Sequence, residues 1–236
     1  MQLEEHDGRM GWDSIVSQLV AAAVPPRCAT CGGQVPADEL MCRDCRRAVP
    51  WLRGPRCPRC ALPAPCRPCP AADAAFDRAW APMAYAGTAR ELVTRLKFGG
   101  ALGLVDVMAA QIAANAPEEL TRGRTVVAVS LHRSRRRARG FDQAQRLAGA
   151  VARRLDLPTA RCLVRHGPVS RQVGAGRQTR LSRGRLEFAA SRTAPGRLVL
   201  VDDVHTTGAT LDACATALRR AGATSVVCLA YARALR

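Results

Sequence analysis

Four consecutive apolar residues, Leu198-Val199-Leu200-Val201, form a short unbroken hydrophobic run. A β-branched and leucine run this short does not make a helix; it predicts a central parallel strand covered on both faces. Asp202 and Asp203 follow it, then His205-Thr206-Thr207-Gly208-Ala209-Thr210, then an apolar periodic segment from Leu211 to Leu218. That order predicts a strand, a tight loop and the start of a helix. Gly222 ends this helix and Ser225 to Ala230 is the next strand, which completes a βαβ unit. Thr125 to Val129 predicts another buried strand. Phe141, Ala144, Leu147, Ala148, Val151 and Leu155 recur at helical spacing after it. Upstream, Phe76 to Tyr85 reads as one or two short extended pieces, Thr88 to Phe98 as a helix capped by Gly99-Gly100, and Leu102 to Ala114 as a second helix. Ala71 to Ala75 reads as a hinge, and Cys162 to Arg165 as a strand. Near the start, Trp12, Ile15, Val16, Leu19, Val20 and Ala23 place a short amphipathic helix over Asp13 to Ala23.

The loop after the predicted strand is rich in hydroxyls and contains one glycine. It can offer backbone N–H groups, threonine hydroxyls and the positive end of the following helix to a phosphate. Two carboxylates would repel that phosphate, but they suit a sugar diol carrying it, through hydrogen bonds or through magnesium. The constellation describes a ribose 5-phosphate. Leu198 to Thr210 resembles the phosphoribosyl-pyrophosphate (PRPP) motif of type I phosphoribosyltransferases: four apolar residues, Asp-Asp, two variable residues, then Thr-Thr-Gly-x-Thr. The bland alternative for Asp-Asp alone is a helix cap or solvated turn. Neither a P-loop nor a Gly-x-Gly-x-x-Gly fingerprint is present, since the one lysine, Lys97, lies in no such loop. His205 falls at a variable position of the motif, which predicts that it points into solvent rather than serving as a base.

Eight cysteines form four knuckles: Cys28-x-x-Cys31, Cys42-x-x-Cys45, Cys57-x-x-Cys60 and Cys66-x-x-Cys69. Two residues between cysteines turn both sulfurs toward one ion, and two knuckles close a tetrahedron, so four knuckles predict two Cys₄ zinc sites. The second quartet, rich in proline, is the tighter of the two. Disulfides fit poorly with a cytoplasmic chain whose acidic start is unlike a secretory segment. A thioredoxin-like redox reading fails because the four copies stand outside a βαβ context. Cys162, Cys214 and Cys228 lie in apolar segments and read as buried small hydrophobes.

Composition adds a strong basic bias: the formal net charge is +17 over 236 residues, almost all of it arginine. This favours polyanionic partners, although a coding bias accounts for it as well. Only three tryptophans, two tyrosines and four phenylalanines are present, a poor supply for a base-stacking platform. No stretch approaches membrane-spanning length. Arg133, Arg135, Arg136, Arg137 and Arg139 lie in the loop from Ser130 to Gly140, at a strand's carboxyl end. There they could clamp a pyrophosphate, the alternative for each being a solvated face. The glycine- and arginine-rich stretch from Gly167 to Phe188 reads as a lid.

Several stretches resemble the ComF family: the cysteine knuckles, Tyr85-x-Gly87 with Leu96-Lys97-Phe98-Gly99, Leu131-His132-Arg133 followed by Arg139-Gly140-Phe141-Asp142-Gln143, then Gln172, Arg180 and Phe188, and the closing Tyr231-Ala232-Arg233. Ser130, Asp142 and Arg183 depart from that family's proline and two asparagines. The resemblance implies an α/β fold of the type I phosphoribosyltransferase kind, a parallel sheet flanked by helices, with a small N-terminal Cys₄ zinc-binding module. It divides the chain into an N-terminal helix (1–26), a double zinc-ribbon-like module (27–70) and a phosphoribosyltransferase-like domain (71–236). It also implies a cytoplasmic protein that binds magnesium-PRPP and transfers the phosphoribosyl group to an unidentified nucleophile, in a role linked to DNA uptake. The alternative is a non-catalytic PRPP sensor, or a factor binding single-stranded DNA or a protein of the competence machinery. The implied site residues are Asp202 and Asp203 for catalysis and ribose, Thr206, Thr207, Gly208, Ala209 and Thr210 for phosphate, and Leu131, His132, Arg133 and Arg139 for pyrophosphate. The metal ligands are the eight knuckle cysteines.

Overall fold

The computed structural model describes residues 26–98, 102–129, 142–166 and 187–235. The chain divides into two compact units, Met1–Val49 and Pro50–Arg236. One cysteine quartet falls in each. The helix expected over Asp13 to Ala23, the caps Gly99 and Gly100, the arginine loop with Leu131, His132, Arg133 and Arg139, and the lid from Gly167 lie outside the described residues.

In the first unit, a bridge between Arg27 and Gln34 closes the first knuckle. The short helix α1 (Arg43–Arg47) starts on Cys42, whose sulfur accepts the Cys45 N–H. The second unit is built on a parallel sheet. Its strands are β1 (Arg78–Trp80), β2 (Met83–Ala84), β3 (Thr125–Ala128), β4 (Thr159–Ala160), β7 (Arg197–His205) and β8 (Ser225–Arg233). They run in the order β1-β8-β7-β3-β4, with β2 also paired to β8. Strands β5 (Leu163–His166) and β6 (Glu187–Ala190) form a separate antiparallel pair.

Leu198 to Val201 are fully buried, as the unbroken apolar run requires. Alternation along β7 and β8 sends Leu198, Leu200, Val226 and Cys228 into one core with Leu211, Cys214 and Leu218 of helix α6 (Ala209–Arg220). On this packing Cys162, Cys214 and Cys228 are buried, as expected of small hydrophobes. Helices α3 (Leu104–Ala113) and α5 (Gln143–Arg154) supply Leu104, Met108, Ile112, Leu147 and Val151 as further buried core. Helix α5 begins where Asp142 caps the Gln145 N–H. The other helices are α2 (Gly87–Phe98) and the single turn α4 (Glu118–Thr121).

Two expectations need correction. The strand predicted to end at Val201 continues to His205, because β8 keeps pairing with it: Asp202 with Ala230, Val204 with Ala232 and His205 with Arg233. Polar side chains do not stop a strand whose backbone still has a partner. The alanine-rich stretch expected as a hinge is instead tied down. Arg59 donates to the carbonyls of Ala71, Ala72, Ala74, Phe76 and Asp77, and Asp212 of α6 accepts the Ala75 N–H at 2.7 Å.

The segment ends on Asp77, whose carboxylate accepts hydrogen bonds from Arg219, from Ser225 Oγ and from the Val226 N–H. Asp77→Ala leaves these donors without their acceptor and should destabilise the second unit by about 1–3 kcal/mol. Urea unfolding followed by circular dichroism measures the shift. An unchanged midpoint would mean that the clamp is idle.

Candidate functional site

Chain order reverses across the sheet between β3 and β7: β4 extends the sheet beyond β3 on one side, and β8 extends it beyond β7 on the other. In open α/β sheets this switch point leaves a crevice at the carboxyl ends of the strands. Here β3 pairs with β7 only as far as Val201, through Ala128, and the Val129 N–H makes the last bond at 3.1 Å. Beyond that point β7 keeps its partner on the β8 side alone. Asp202 and Asp203 are the first residues past the end of the β3 ladder.

Alternation along the strand separates the two carboxylates. Asp202 follows the side of Leu200, and its Oδ1 accepts the Asp203 N–H at 2.8 Å. Asp203 receives Lys97 Nζ at 2.7 Å. Burial, with the Asp203 carboxylate adding repulsion, pushes Asp202 up to about 8. Lys97 lies in the last turn of α2, and its place beside Asp203 is not foreseen by the stretch Leu96-Lys97-Phe98-Gly99 that contains it. The signal was compositional: it is the one lysine in a chain with thirty-six Lys and Arg residues, and a compact ammonium is a different tool from a guanidinium fork.

The loop after β7 presents Thr206, Thr207 and Ala209 as exposed residues, with Gly208 and Thr210 half-buried. Gly208 has φ +89°, a left-handed conformation that glycine adopts without steric cost. A Cβ there would also meet His205 Nε2 at 3.0 Å. Thr207 Oγ1 accepts the Ala209 N–H at 3.3 Å, which tightens the turn into α6. A cavity of about 310 Å³ adjoins the loop, lined by Thr207, Gly208, Ala209, Phe76 and the 69–74 segment.

His205 does not point into solvent. It is 2% exposed, sits edge-on to Phe76 with ring centroids 6.2 Å apart, and forms the floor under Gly208. Burial first, and then the nearby Arg233 guanidinium, push it down to about 4, so the ring is neutral near pH 7. A variable position in a motif says nothing about the inward phase that β7 imposes once it extends to residue 205.

The cysteine quartets meet the requirements of zinc. In each, all four sulfurs lie within 4.8 Å of one another. The sulfur separations are 3.8 Å for Cys31–Cys42, 3.7 Å for Cys57–Cys69 and 3.4 Å for Cys60–Cys66. A tetrahedral zinc thiolate site spaces its sulfurs by about 3.8 Å, whereas a disulfide brings them to about 2.05 Å. Backbone N–H groups of Thr30 and Cys42 point at Cys28 Sγ, and that of Gly33 at Cys31 Sγ. Burial opposes the Cys28 thiolate, but these amides outweigh it and hold the group down to about 6. The second quartet is part of the sheet's own core: Cys60 is fully buried in one cluster with Phe76, Leu198 and Leu200.

Residues 19–75 match the family described as a double zinc ribbon domain. The chain is 28% identical over 197 residues to the Competence protein ComFC of Bacillus subtilis (strain 168), a match that covers 78% of this chain and 80% of the relative. A solved structure titled as the allosteric regulatory enzyme of purine biosynthesis aligns with 53% of this chain and 24% of its own, at 24% identity and a TM-score of 0.34. The chain spans under a quarter of that larger protein, and so slight a likeness decides nothing about the site. The described residues thus form a mostly parallel sheet flanked by helices, with cysteine knuckles that suit zinc. The chain is similar to ComFC over most of its length, and its N-terminal part matches a double zinc ribbon. Among the described residues no helix is long and apolar enough to cross a membrane.

Purified under reducing, chelator-free conditions, the protein should carry about two zinc ions per chain by elemental analysis, because each quartet is a complete tetrahedral donor set. A fully folded chain without zinc would overturn the assignment.

Proposed function

We propose that the chain binds magnesium-PRPP at the switch-point crevice and transfers the phosphoribosyl group to a nucleophile with release of pyrophosphate. The observation that carries this reading is the loop from Thr206 to Thr210, with Thr206, Thr207 and Ala209 exposed, which follows two residues after two carboxylates that have lost their β3 neighbour. The 5-phosphate would rest on that loop and on the positive end of α6. The ribose hydroxyls would meet Asp202 and Asp203, with Lys97 giving up part of its hold on Asp203. Magnesium, when bound with PRPP, supplies positive charge to the pyrophosphate oxygens. What the chain's own residues contribute is positioning and charge placement, since departure of pyrophosphate builds positive charge on the sugar ring beside two carboxylates. His205 takes no proton from the acceptor in this scheme; it supports the loop from below. Pyrophosphate would leave toward the segment that holds Leu131, His132, Arg133 and Arg139.

By the relative's printed name, competence protein, we extend the proposal to a role in DNA uptake. Arg133, Arg135, Arg136, Arg137 and Arg139 would then serve a single strand as well as pyrophosphate. Binding should be independent of sequence and fall with salt, with a slope near −0.7 per phosphate contacted. Filter binding over a salt series tests this, and no retention even at low salt would place the link to DNA in a partner protein.

Calorimetry with PRPP and magnesium is the decisive test of the site. Asp203→Asn and Thr207→Val should each weaken binding by about 1.5–3 kcal/mol with little effect on folding. A wild-type protein that ignores PRPP would end the proposal. Binding without pyrophosphate release against a panel of nucleophiles would leave the PRPP-sensor reading in its place.

A proton provides a further check. With Asp202 raised to about 8, the folded chain keeps a proton that the unfolded chain loses near the ordinary carboxylate value of about 4. The folded state therefore binds more protons between those values, and this residue's contribution to stability falls as pH rises through that window. A ligand that donates hydroxyls or brings magnesium favours the carboxylate, so binding at pH 7 should release up to about one proton. Titration in buffers of different ionisation enthalpy reads it, and Asp202→Asn should abolish it.

A further inference from the structure

Arg233 closes β8 and is 1% exposed, the largest fully buried side chain of the unit. Its Nε donates to the Cys60 carbonyl at 2.7 Å. Its Nη1 donates to the carbonyls of His205 at 2.8 Å, of Thr206, and of Ala234 at 2.9 Å. One planar side chain thus joins the backbone of a metal knuckle to the first residues of the phosphate loop. Nothing in the PRPP motif calls for it, and its place in the closing Tyr231-Ala232-Arg233 is unexplained by the proposed chemistry.

The geometry points to Arg233 as a positioning residue for the phosphate loop, through which the state of the second cysteine quartet reaches that loop. This rests on the reading of Thr206 to Thr210 as a phosphate site. In a planar trans peptide the carbonyl of one residue and the N–H of the next point in opposite directions. Holding the His205 and Thr206 carbonyls on the guanidinium therefore turns the N–H groups of Thr206 and Thr207 away from it. Those are donors a phosphate needs. Cys60, whose carbonyl meets the other edge of the same fork, has its sulfur 3.4 Å from Cys66 in the second quartet. A zinc held there fixes Cys60 and hence one side of the fork. Losing it releases the carbonyl that orients the guanidinium, and the loop carbonyls lose their fixed donor. The fork is rigid, so a shift at one edge is transmitted to the other. By linkage the coupling is reciprocal: phosphate ligand on the loop should tighten the hold on that zinc.

The test uses the full chain in three forms: wild type, Arg233→Lys and Cys66→Ser. Hydrogen exchange of peptides spanning 205–210 is followed with zinc content and calorimetry of PRPP-magnesium binding. Cys66→Ser should lose one zinc per chain, exchange the loop amides roughly tenfold faster, and bind PRPP roughly tenfold more weakly. Arg233→Lys, which keeps the charge but not the fork, should reproduce the loop signature while retaining both zinc ions. In the wild type, PRPP-magnesium should slow the transfer of one zinc to a chromophoric chelator, and in Arg233→Lys that protection should vanish. An unchanged loop in folded Arg233→Lys overturns the proposal. Should Cys66→Ser not fold, the wild-type zinc transfer decides, and a rate indifferent to bound PRPP is fatal. If the loop follows zinc but the wild type never binds PRPP, the coupling stands and the proposed function falls. If PRPP binds equally to all forms and the loop is unmoved, the reverse holds.

Discussion

The register of β7 against β8 is the constraint on which the site depends. Nine residues of each run side by side, from Arg197 opposite Ser225 to His205 opposite Arg233. A slip of one residue would turn over the faces of one strand relative to the other and separate Arg233 from His205. The apolar residues from Leu198 to Val201 and from Val226 to Ala230 oppose it, because all are buried and Leu198, Leu200, Val226 and Cys228 share one core. Hydrophobic burial in the first half of the pair thereby fixes polar placement in the second half. The polar end of the sheet takes its register from the apolar end.

That division explains the electrostatics. The polar ends of β7 and β8 bring Asp202, Asp203, His205 and Arg233 into a small, largely water-poor volume, with Lys97 reaching in from α2. Charges so placed change protonation or find partners. Asp202 holds its proton to unusually high pH, His205 stays neutral, Asp203 takes the ammonium, and Arg233 spends its donors on backbone carbonyls. Burial drives the first two responses, with a carboxylate and a guanidinium adding to it, while an ammonium and peptide oxygens decide the other two.

Much of this was legible in the sequence. Buried parallel strands announce themselves as short apolar runs, and Leu198 to Val201 and Thr125 to Val129 lay where expected. The helices around Thr88 to Phe98 and Leu102 to Ala114 were equally plain from periodicity and glycine caps. The cysteine spacing led to both quartets, since the chemistry of a knuckle is local. What stayed hidden was set by tertiary partners. The extension of β7 to His205 depends on β8, which lies downstream in sequence and supplies the missing hydrogen bonds. The burial of His205 depends on Phe76, and the fixity of Ala71 to Ala75 on the fork of Arg59 and the carboxylate of Asp212. Lys97 and Arg233 act over separations of 106 and 173 residues, beyond the range of any window.

The solitary lysine carries a practical meaning. In a chain whose other basic side chains are arginine or histidine, Lys97 is the one side-chain amine, and it stands 2.7 Å from the Asp203 carboxylate. Apart from the α-amino group, which acylates at lower pH, amine-directed acylation of this protein is therefore site-directed labelling without mutagenesis. Its rate depends on how tightly Asp203 holds the ammonium, and a probe attached there sits at the edge of the crevice, where occupancy of the carboxylate changes its surroundings.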